Sequence, residues 1–346
     1  MASRASRSDP NHLSSVVLAA GDSKRMKSNL SKVLHPLAGL PMIVHVVRTL
    51  RSTNLRSVIV VVRRDRETIH RVLEGYPADL ALQGEPLGTA HALLSARDSL
   101  KDFTGDLLVT CGDTPLLRKE TLLDLIGYHR KDRFDATLLT CEFQDPHGYG
   151  RIVRGRDGTI QAIIEEREAS ESIRKIREIN TGIYCFRSPA IFRFLEEICN
   201  EKTDREYYLT DIVERYNAAG LKVGGLSIAD ELEVMGINTR SQLARAESAL
   251  RERIRDHWMK EGVTLIDPAT ILIDDAVRIG RDVTIYPFVI VEGATEIGEE
   301  AVIGPFCRIR ESRIGKGVRL QGWNDLNETS IPEGKTLHPF ASPKRE

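Results

Sequence analysis

A loop that combines small residues with basic side chains follows the first apolar run of this sequence. The run at 14–18 (SSVVL) predicts a short buried strand, and Ala19, Ala20 and Gly21 come directly after it. Small residues at the end of a first strand let a ligand approach the backbone closely. The stretch therefore predicts a nucleotide-binding loop, with an ordinary basic surface loop as the alternative. The cations that could neutralise phosphates are Lys24, Arg25, Lys27 and Lys32.

A single carboxylate follows the fourth predicted strand. Residues 106–110 (DLLVT) lead into Cys111, Gly112 and Asp113. An acid just past the end of an inner parallel strand lies where ligands bind in such sheets. Because the basic loop is expected at the same edge, the two could together hold a triphosphate with its Mg²⁺, an ion that prefers one or two carboxylates plus phosphate oxygens. The alternative is that Asp113 only caps a turn.

Two polar residues at the ends of later strands are candidates for sugar binding. Glu165 ends a predicted strand at 160–164, and Asn180 begins another at 180–186. Both side chains could reach sugar hydroxyls. Solvated strand-end residues are the alternative, since exposed glutamates are common.

The elements that must position these residues alternate between strand and helix. Strands are predicted at 58–62, 80–82 and 106–110, with a helix between each pair, and this spacing favours a doubly wound α/β sheet. Beyond residue 136, short strands with tight turns predict a lid or substrate-binding half. An amphipathic helix at 241–260 is suited to bridging two domains.

A six-residue repeat occupies the C-terminal part. A period of six with an aliphatic residue at one position is typical of a parallel β-helix, and about three coils are expected. So short a stack is expected to gain stability by packing against neighbouring chains. The tail after residue 322 breaks the period, so we expect it to be loosely ordered. The repeating residues are Ile273, Ile279, Ile285, Val291, Ile297, Ile303 and Ile309.

Composition excludes several function classes. The chain has 346 residues and a net charge of −1, so nucleic acid is not indicated as a partner. No apolar run approaches the roughly 18 residues that span a bilayer, and the N-terminus has no apolar signal segment. Five cysteines without a CxxC pair favour reduced thiols in a cytoplasm, with neither a zinc site nor a disulfide framework.

Several motifs in order resemble one family. The sequence is similar to the bacterial bifunctional N-acetylglucosamine-1-phosphate uridylyltransferase/glucosamine-1-phosphate acetyltransferases from about residue 15 to about residue 322. The motifs that carry the resemblance are LAAG at 18–21, RM at 25–26, KVLHPLAG at 32–39, QGEPLGTAHA at 83–92, CGDTPLL at 111–117, GYGRI at 148–152, EINTGIY at 178–184, EYYLTDI at 206–212 and GIN at 236–238.

The resemblance implies a fold and a domain organisation. It implies an α/β, Rossmann-like nucleotidyltransferase domain followed by a short left-handed parallel β-helix. The expected segments are a disordered tail at 1–14, the nucleotidyltransferase domain at 15–240, a linker helix at 241–262, the β-helix at 263–322 and an irregular tail at 323–346.

The resemblance also implies a reaction and its residues. Uridylyl transfer from UTP to N-acetylglucosamine-1-phosphate would need Mg²⁺, and a homotrimer would form through the β-helix. Arg25, Lys32 and Asp113 would be catalytic, and Asp113 and Asn238 would bind the metal. The implied nucleotide-binding and sugar-binding residues are Leu18, Ala19, Ala20, Gly21, Lys32, Gln83, Gly88, Thr89, Cys111, Gly112, Gly150, Glu165, Asn180, Tyr208, Thr210 and Asn238.

Departures from the family pattern leave alternatives open. Ser23 stands where the family often has glycine, and Ser31 stands where it usually has proline. The acetyltransferase residues of the family lie on coils later than those present here, so we expect that activity to be absent. A retained acyltransferase, a non-catalytic sugar-nucleotide sensor, and a pyrophosphorylase for another pair such as glucose-1-phosphate or dTTP remain alternatives.

Overall fold

The computed structural model describes residues 12–21, 24–201 and 205–341. Its contacts divide the chain into two compact units. The first contains Met1–His35 and Met42–Arg240, and the second contains Pro36–Pro41 and Ser241–Glu346. The short hairpin at 36–41 therefore belongs to the second unit, although the sequence placed it inside the first domain.

A nine-stranded sheet forms the centre of the first unit. Leu13–Leu18 (β1) lies parallel to Ser57–Val62 (β4) on one side and to Asp106–Cys111 (β6) on the other. These β-branched and leucine-rich runs are almost completely buried, as expected for inner strands covered on both faces. The other strands of this sheet are Asp79–Leu82 (β5), Ala136–Glu142 (β7), Arg151–Arg154 (β8), Ile160–Ile164 (β9), Glu178–Arg187 (β10) and Val223–Ile228 (β11).

The sheet is mixed rather than wholly parallel. Its main strand order is β11–β7–β10–β6–β1–β4–β5, and β10 runs antiparallel to both β6 and β7. The register of β10 against β7 shifts between Asn180 and Tyr184, where Gly182 has a φ of 76°. The β8–β9 hairpin attaches to β10 through the pairing of Arg151 with Ile179. The doubly wound pattern thus holds for the first half, and the second half adds an antiparallel insertion.

Helices pack on this sheet through their apolar faces. In the first helix, for example, Ile43, Val47 and Leu50 are completely buried. No helix in the described ranges has both the length and the apolar character needed to cross a membrane. The α-helices of the first unit are Met42–Arg51 (α1), Arg66–Val72 (α2), Thr89–Leu94 (α3), Lys119–Lys131 (α4), Glu171–Arg174 (α5), Ala190–Cys199 (α6), Ile212–Ala218 (α7) and Glu231–Val234 (α8).

The second unit is a left-handed parallel β-helix preceded by one long helix, Arg240–Lys260 (α9). Three parallel ladders of short strands form its faces, and the aliphatic residues of the repeat point into a continuous core. The strands are the hairpin Pro36–Leu37 (β2) and Leu40–Pro41 (β3), then Thr264–Leu265 (β12), Leu272–Ile273 (β13), Arg278–Ile279 (β14), Thr284–Ile285 (β15), Ile290–Glu292 (β16), Glu296–Ile297 (β17), Val302–Ile303 (β18), Arg308–Arg310 (β19), Arg313–Ile314 (β20), Arg319–Leu320 (β21), Asp325–Asn327 (β22), Ser330–Ile331 (β23) and Thr336–Leu337 (β24).

The expectation of an irregular tail from residue 323 is wrong for the described residues. Strands β22, β23 and β24 extend the three ladders of the β-helix. Leu326 and Ile331 are buried in the same core as the repeat residues. The coil therefore continues past the last clear hexad, and residues 342–346 lie outside the described part.

The expected N-terminal tail at 1–14 also ends earlier than predicted. Residues 1–11 lie outside the described residues, but β1 already includes Leu13 and Ser14, which are buried. Leu13 pairs with Asp106 in β6, and Ser14 pairs with Ser57 in β4. The first strand therefore starts one residue before the apolar run that predicted it.

Candidate active site

The loop after β1 begins at the centre of the carboxyl edge of the sheet. The backbone N–H of Gly112 donates to the carbonyl of Leu18 at 2.9 Å, and that of Ala19 donates to the carbonyl of Val61 at 2.9 Å. A Cβ at Gly112 would lie only 3.1 Å from the side chain of Ala19, so this position is closely packed. The loop is thus fixed between the ends of β6 and β4. Residues 22 and 23, including the Ser23 departure, lie outside the described residues.

Two cations and two oxygen ligands converge beside this loop. Lys32 begins a short 3₁₀ helix, and its Nζ donates to Asp113 Oδ2 and, at 2.9 Å, to Asn238 Oδ1. Arg25 donates from Nη2 to the same Asn238 oxygen at 2.9 Å. The Lys32 and Asp113 side chains are only 14% and 16% exposed, which limits screening of their attraction by water. Four residues from three segments of the chain therefore meet at one point.

This donor set fits a hard divalent cation. A carboxylate oxygen and an amide oxygen lie within hydrogen-bond distance of one ammonium group, so both face a position where positive charge is favourable. Mg²⁺ is usually held by one or two protein oxygens together with substrate phosphates. Among the described residues, no group of three or more His, Cys, Asp or Glu side chains could form an all-protein metal site. A metal at Asp113 and Asn238 would complete its shell with phosphate or water oxygens.

A cavity of about 190 Å³ lies against the same loop. Ala19, Ala20 and Gly21 form one wall, 28–31 form another, and 63–65 complete it. Arg63, Arg64 and Asp65 were not predicted as site residues. The rule that ligands bind at the carboxyl ends of parallel strands could have indicated them, because they directly follow β4.

The turn at 83–89 is held by contacts with a distant segment. Thr89 Oγ1 accepts a 2.9 Å hydrogen bond from the backbone N–H of Leu209, and Tyr207 N–H donates to the Leu87 carbonyl at 2.7 Å. Gly88 has a φ of 121°, and a Cβ there would overlap the backbone of Tyr207. Gln83 is buried and donates from Nε2 to the Gly88 carbonyl at 3.2 Å. The predicted base-recognition residues thus share one rigid turn.

Cys111 lies at the end of β6 and faces β10. Its Sγ lies 3.6 Å from the Gly182 carbonyl, within hydrogen-bond distance for a thiol. Burial, with the negative charge of Asp113, raises the pKa of the Cys111 thiol to about 12. Cys111 therefore remains a neutral thiol at physiological pH, and it does not supply a nucleophile.

A second group of polar residues gathers between β9, β10 and the segment before α7. Thr210 is buried, and its hydroxyl donates to Glu165 Oε1 at 3.0 Å. A Cβ on Gly150 would lie 3.5 Å from that same oxygen. Burial raises the pKa of the Glu165 carboxyl, and the Thr210 hydrogen bond offsets this only in part. This group can accept hydrogen bonds from a polyhydroxyl ligand and can donate hydrogen bonds to it.

Asn180 lies at the irregularity in β10 and contacts Gly150 of this second group through its backbone. Asn180 Nδ2 donates to the Tyr184 hydroxyl at 2.7 Å, and its backbone N–H donates to the Gly150 carbonyl at 2.8 Å. Tyr208 lies beside Arg205, whose guanidinium carbon is 5.4 Å from the ring centroid. Burial, followed by the charges of Glu206 and Glu165, raises the pKa of the Tyr208 hydroxyl, which keeps it available as a donor.

Besides the turn at 83–89 and Cys111, the predicted residues form two groups within the first unit. Lys32 contacts both Asp113 and Asn238, Arg25 contacts Asn238, and Glu165 contacts Thr210 in the second group. Three of these hydrogen bonds join residues of the first group, and the fourth joins the two residues of the second group. Sequence reasoning missed Tyr149, whose hydroxyl contacts the segment that presents Asn238.

Comparison with known proteins identifies relatives of both units. The family model described as a MobA-like NTP transferase domain matches residues 15–183, and that of the bacterial transferase hexapeptide (six repeats) matches 276–311. The chain is 46% identical over 329 residues to a bifunctional protein GlmU from Pelotomaculum thermopropionicum, covering 95% of this chain and 72% of that protein. It is 42% identical to the GlmU proteins of Geotalea uraniireducens, with 96% and 73% covered, and of Bacillus velezensis, with 94% and 71% covered.

Proposed function

Because the chain belongs to the GlmU family of bifunctional proteins, we propose that it transfers a uridylyl group from UTP to N-acetylglucosamine-1-phosphate and releases pyrophosphate. The family match identifies the chain as a nucleotidyltransferase. The nucleotide, the sugar phosphate and the metal in this statement are our proposal.

The observation that carries the proposal is the meeting of Lys32, Arg25, Asp113 and Asn238 at the edge of the sheet. Two cations and two oxygen ligands at one point suit a phosphate chain that arrives with a divalent metal. The adjoining loop of small residues at 18–21 leaves its backbone open to a ligand. The fixed turn at 83–89 offers the buried amide of Gln83 and the exposed hydroxyl of Thr89 for a nucleobase.

The reaction we propose is an in-line attack of a sugar-phosphate oxygen on the α-phosphorus of UTP. The nucleophile is already anionic, so no general base is needed, and Cys111 with its raised pKa does not act as one. Lys32 and Arg25 would hold the phosphates and neutralise the charge that develops on the leaving pyrophosphate. Catalysis then rests on positioning and on charge compensation.

Asp113 and Asn238 are the proposed Mg²⁺ ligands. These two side chains would hold the ion, which would supply positive charge beside the phosphates when bound. In the structure both ligand oxygens accept hydrogen bonds from Lys32 Nζ. Lys32 would therefore have to move its ammonium group from these oxygens toward the phosphates when substrate and metal enter.

The second polar group is the proposed site for the acetylated sugar. An ionised Glu165, oriented by the Thr210 hydroxyl, would accept hydrogen bonds from the sugar. Gly150, Asn180 and Tyr208 would contribute a backbone amide, a side-chain amide and a phenolic hydroxyl.

Pyrophosphate release across a grid of nucleoside triphosphates and sugar-1-phosphates tests the substrate assignment. We expect the highest kcat/KM with UTP and N-acetylglucosamine-1-phosphate. A maximum with glucose-1-phosphate or with dTTP would contradict this assignment while leaving the reaction class intact. Binding of sugar nucleotides without turnover of any pair would instead favour a sensor.

The absence of acetyltransferase activity stays a prediction. The GlmU relatives are called bifunctional, and the aligned chain covers 72% of the Pelotomaculum protein. Thiol release from acetyl-CoA in the presence of glucosamine-1-phosphate measures this activity directly. Thiol release that depends on the sugar amine would contradict the prediction.

We further propose that the chain forms a homotrimer through its β-helix and acts in the cytoplasm. Half-exposed Phe288, Phe306 and Trp323 stack along the β-helix with ring centroids 5.0 and 5.1 Å apart, which leaves apolar surface for association. All five cysteines are free thiols, in keeping with a reducing compartment. Sedimentation equilibrium of the purified chain measures the oligomeric state, and a monomer at micromolar concentration would contradict the trimer.

A further inference from the structure

The backbone N–H of Gly236 has a side-chain partner from a distant part of the first unit. Gly236 is buried and lies just after α8, in a segment that is neither helix nor strand. Its N–H donates to the hydroxyl oxygen of Tyr149 at 3.2 Å. A buried backbone donor needs an acceptor, so this hydroxyl helps to fix the position of the segment.

The segment that Tyr149 holds is the one that presents Asn238. Ile237 N–H donates to the backbone carbonyl of Asp113 at 2.9 Å. Asn238 Nδ2 donates to the Gly236 carbonyl at 3.2 Å, which orients its Oδ1 toward Lys32 at 2.9 Å. A shift of Gly236 would therefore move the amide oxygen relative to the Asp113 carboxylate.

The other end of Tyr149 belongs to the loop that leads into Gly150. The Arg151 guanidinium is almost completely buried, and it donates both to the Tyr149 carbonyl and, at 2.7 Å, to Glu166 Oε2. The same Glu166 oxygen accepts from the backbone N–H of Gly148 at 3.3 Å. The loop at 148–150 is thus fixed on both sides of Tyr149. One of the residues that fixes it, Glu166, directly follows Glu165 in the sequence.

We propose that Tyr149 is a positioning residue that couples the 148–150 loop to the 236–238 segment. It has no assigned role in binding either substrate. Its backbone lies beside Gly150 in the proposed sugar site, and its hydroxyl fixes the segment that carries the proposed metal ligand Asn238. The naming of the two sites rests on the proposed function, whereas the coupling between the two segments rests on the hydrogen bonds alone.

The Tyr149→Phe variant removes the hydroxyl and keeps the ring. The ring of Tyr149 packs on Phe143 with centroids 4.9 Å apart, so a phenylalanine retains the packing. Tyr128→Phe is the matched control, because Tyr128 packs on Phe134 in the same way at 5.2 Å and lies in α4, outside both groups. A single cooperative thermal unfolding transition in each variant would show that both fold.

Hydrogen–deuterium exchange of the protein without added substrate tests the coupling first. We expect Tyr149→Phe to speed exchange in peptides covering 234–239 by about tenfold, since a buried hydrogen bond is lost. Tyr128→Phe should leave these peptides unchanged. Unchanged exchange at 234–239 in Tyr149→Phe would overturn the proposal, whether or not the proposed function is correct.

Steady-state kinetics with UTP, N-acetylglucosamine-1-phosphate and Mg²⁺ provide the second readout. We expect kcat of Tyr149→Phe to fall about tenfold, with the KM for the sugar phosphate changed less than about twofold. A change confined to that KM would overturn the coupling and leave a purely local role in the sugar site. If the wild type turns over neither substrate, the proposed function fails, and the exchange experiment still decides the role of Tyr149.

Discussion

Replacing Asp113 by asparagine tests the proposed centre most directly. The change keeps the size of the side chain and removes its charge, while Lys32 and Asn238 stay in place. Two unit charges ~4 Å apart at an effective dielectric constant of about 20 attract each other by about 4 kcal/mol. The 14% and 16% exposure of the Lys32 and Asp113 side chains supports such a partly screened environment. Loss of about 3 kcal/mol at the transition state lowers kcat by about 10².

The assay is pyrophosphate release under saturating UTP and sugar phosphate, repeated over a range of Mg²⁺ concentrations. We expect Asp113→Asn to lower kcat by at least ~10² and to raise the Mg²⁺ concentration needed for half-maximal rate. Asp106→Asn is the matched control, since Asp106 begins the strand that Asp113 follows. Asp106 pairs with Arg130 and His129, so its replacement should cost about 1–3 kcal/mol of unfolding free energy and leave kcat unchanged. Near-normal turnover of Asp113→Asn would refute the metal assignment.

Three further changes probe the nucleotide turn, the sugar group and the β-helix. Gly88→Ala places a Cβ against the facing backbone at a φ of 121°, so the KM for UTP should rise at least about tenfold, whereas Gly84→Ala, with open space around it, should not change it. Thr210→Val removes the hydrogen bond that offsets the burial of Glu165, so the pKa of that carboxyl should rise further. Because the ionised form is the proposed sugar acceptor, the rise in sugar-phosphate KM at low pH should begin at a higher pH than in the wild type, and an unshifted profile would contradict the assignment. Leu326→Ala should lower the unfolding free energy of the β-helix by about 2–5 kcal/mol, measured by denaturant titration, and no loss would show that this coil does not contribute to stability.

The centre of the candidate site was predictable because it depends on strand direction. Parallel strands end at one edge, so residues that directly follow β1 and β6 must lie close together. The order of the strands alone therefore predicts that the basic loop with Lys32 lies near Asp113. Asn238 was predicted only from the family resemblance. Its position beside Asp113 depends on the hydrogen bond from the Ile237 N–H to the Asp113 carbonyl, and no local sequence pattern indicates that contact.

The direction of β10 and the role of Tyr149 could not be predicted for a similar reason. An apolar run has the same composition whether its strand runs parallel or antiparallel, so the periodicity at 180–186 left the mixed sheet undetermined. The contact of Tyr149 with Gly236 joins residues separated by 87 positions. A tyrosine in a glycine-rich turn carries no pattern that indicates such a partner. Packing between distant segments decides both features.

The β-helix shows how a small change in spacing hides structure from a sequence pattern. Ile285 pairs with Ile303, eighteen residues later, and this equals three hexads. From β17 onward each turn is one residue shorter, because Ile297 pairs with Ile314 and Ile309 pairs with Leu326. A strict six-residue count from Ile309 therefore no longer falls on the core residues after residue 313. The next core positions, Ile314, Leu320 and Leu326, are each one residue earlier than this count predicts. Asn324 adds to the effect, since this polar residue is buried and satisfies its amide by donating to the His338 carbonyl at 2.9 Å. Counting by whole turns of 17 residues recovers Leu326 and Ile331 as core residues, so the register of the ladder is the property that predicts where the coils continue.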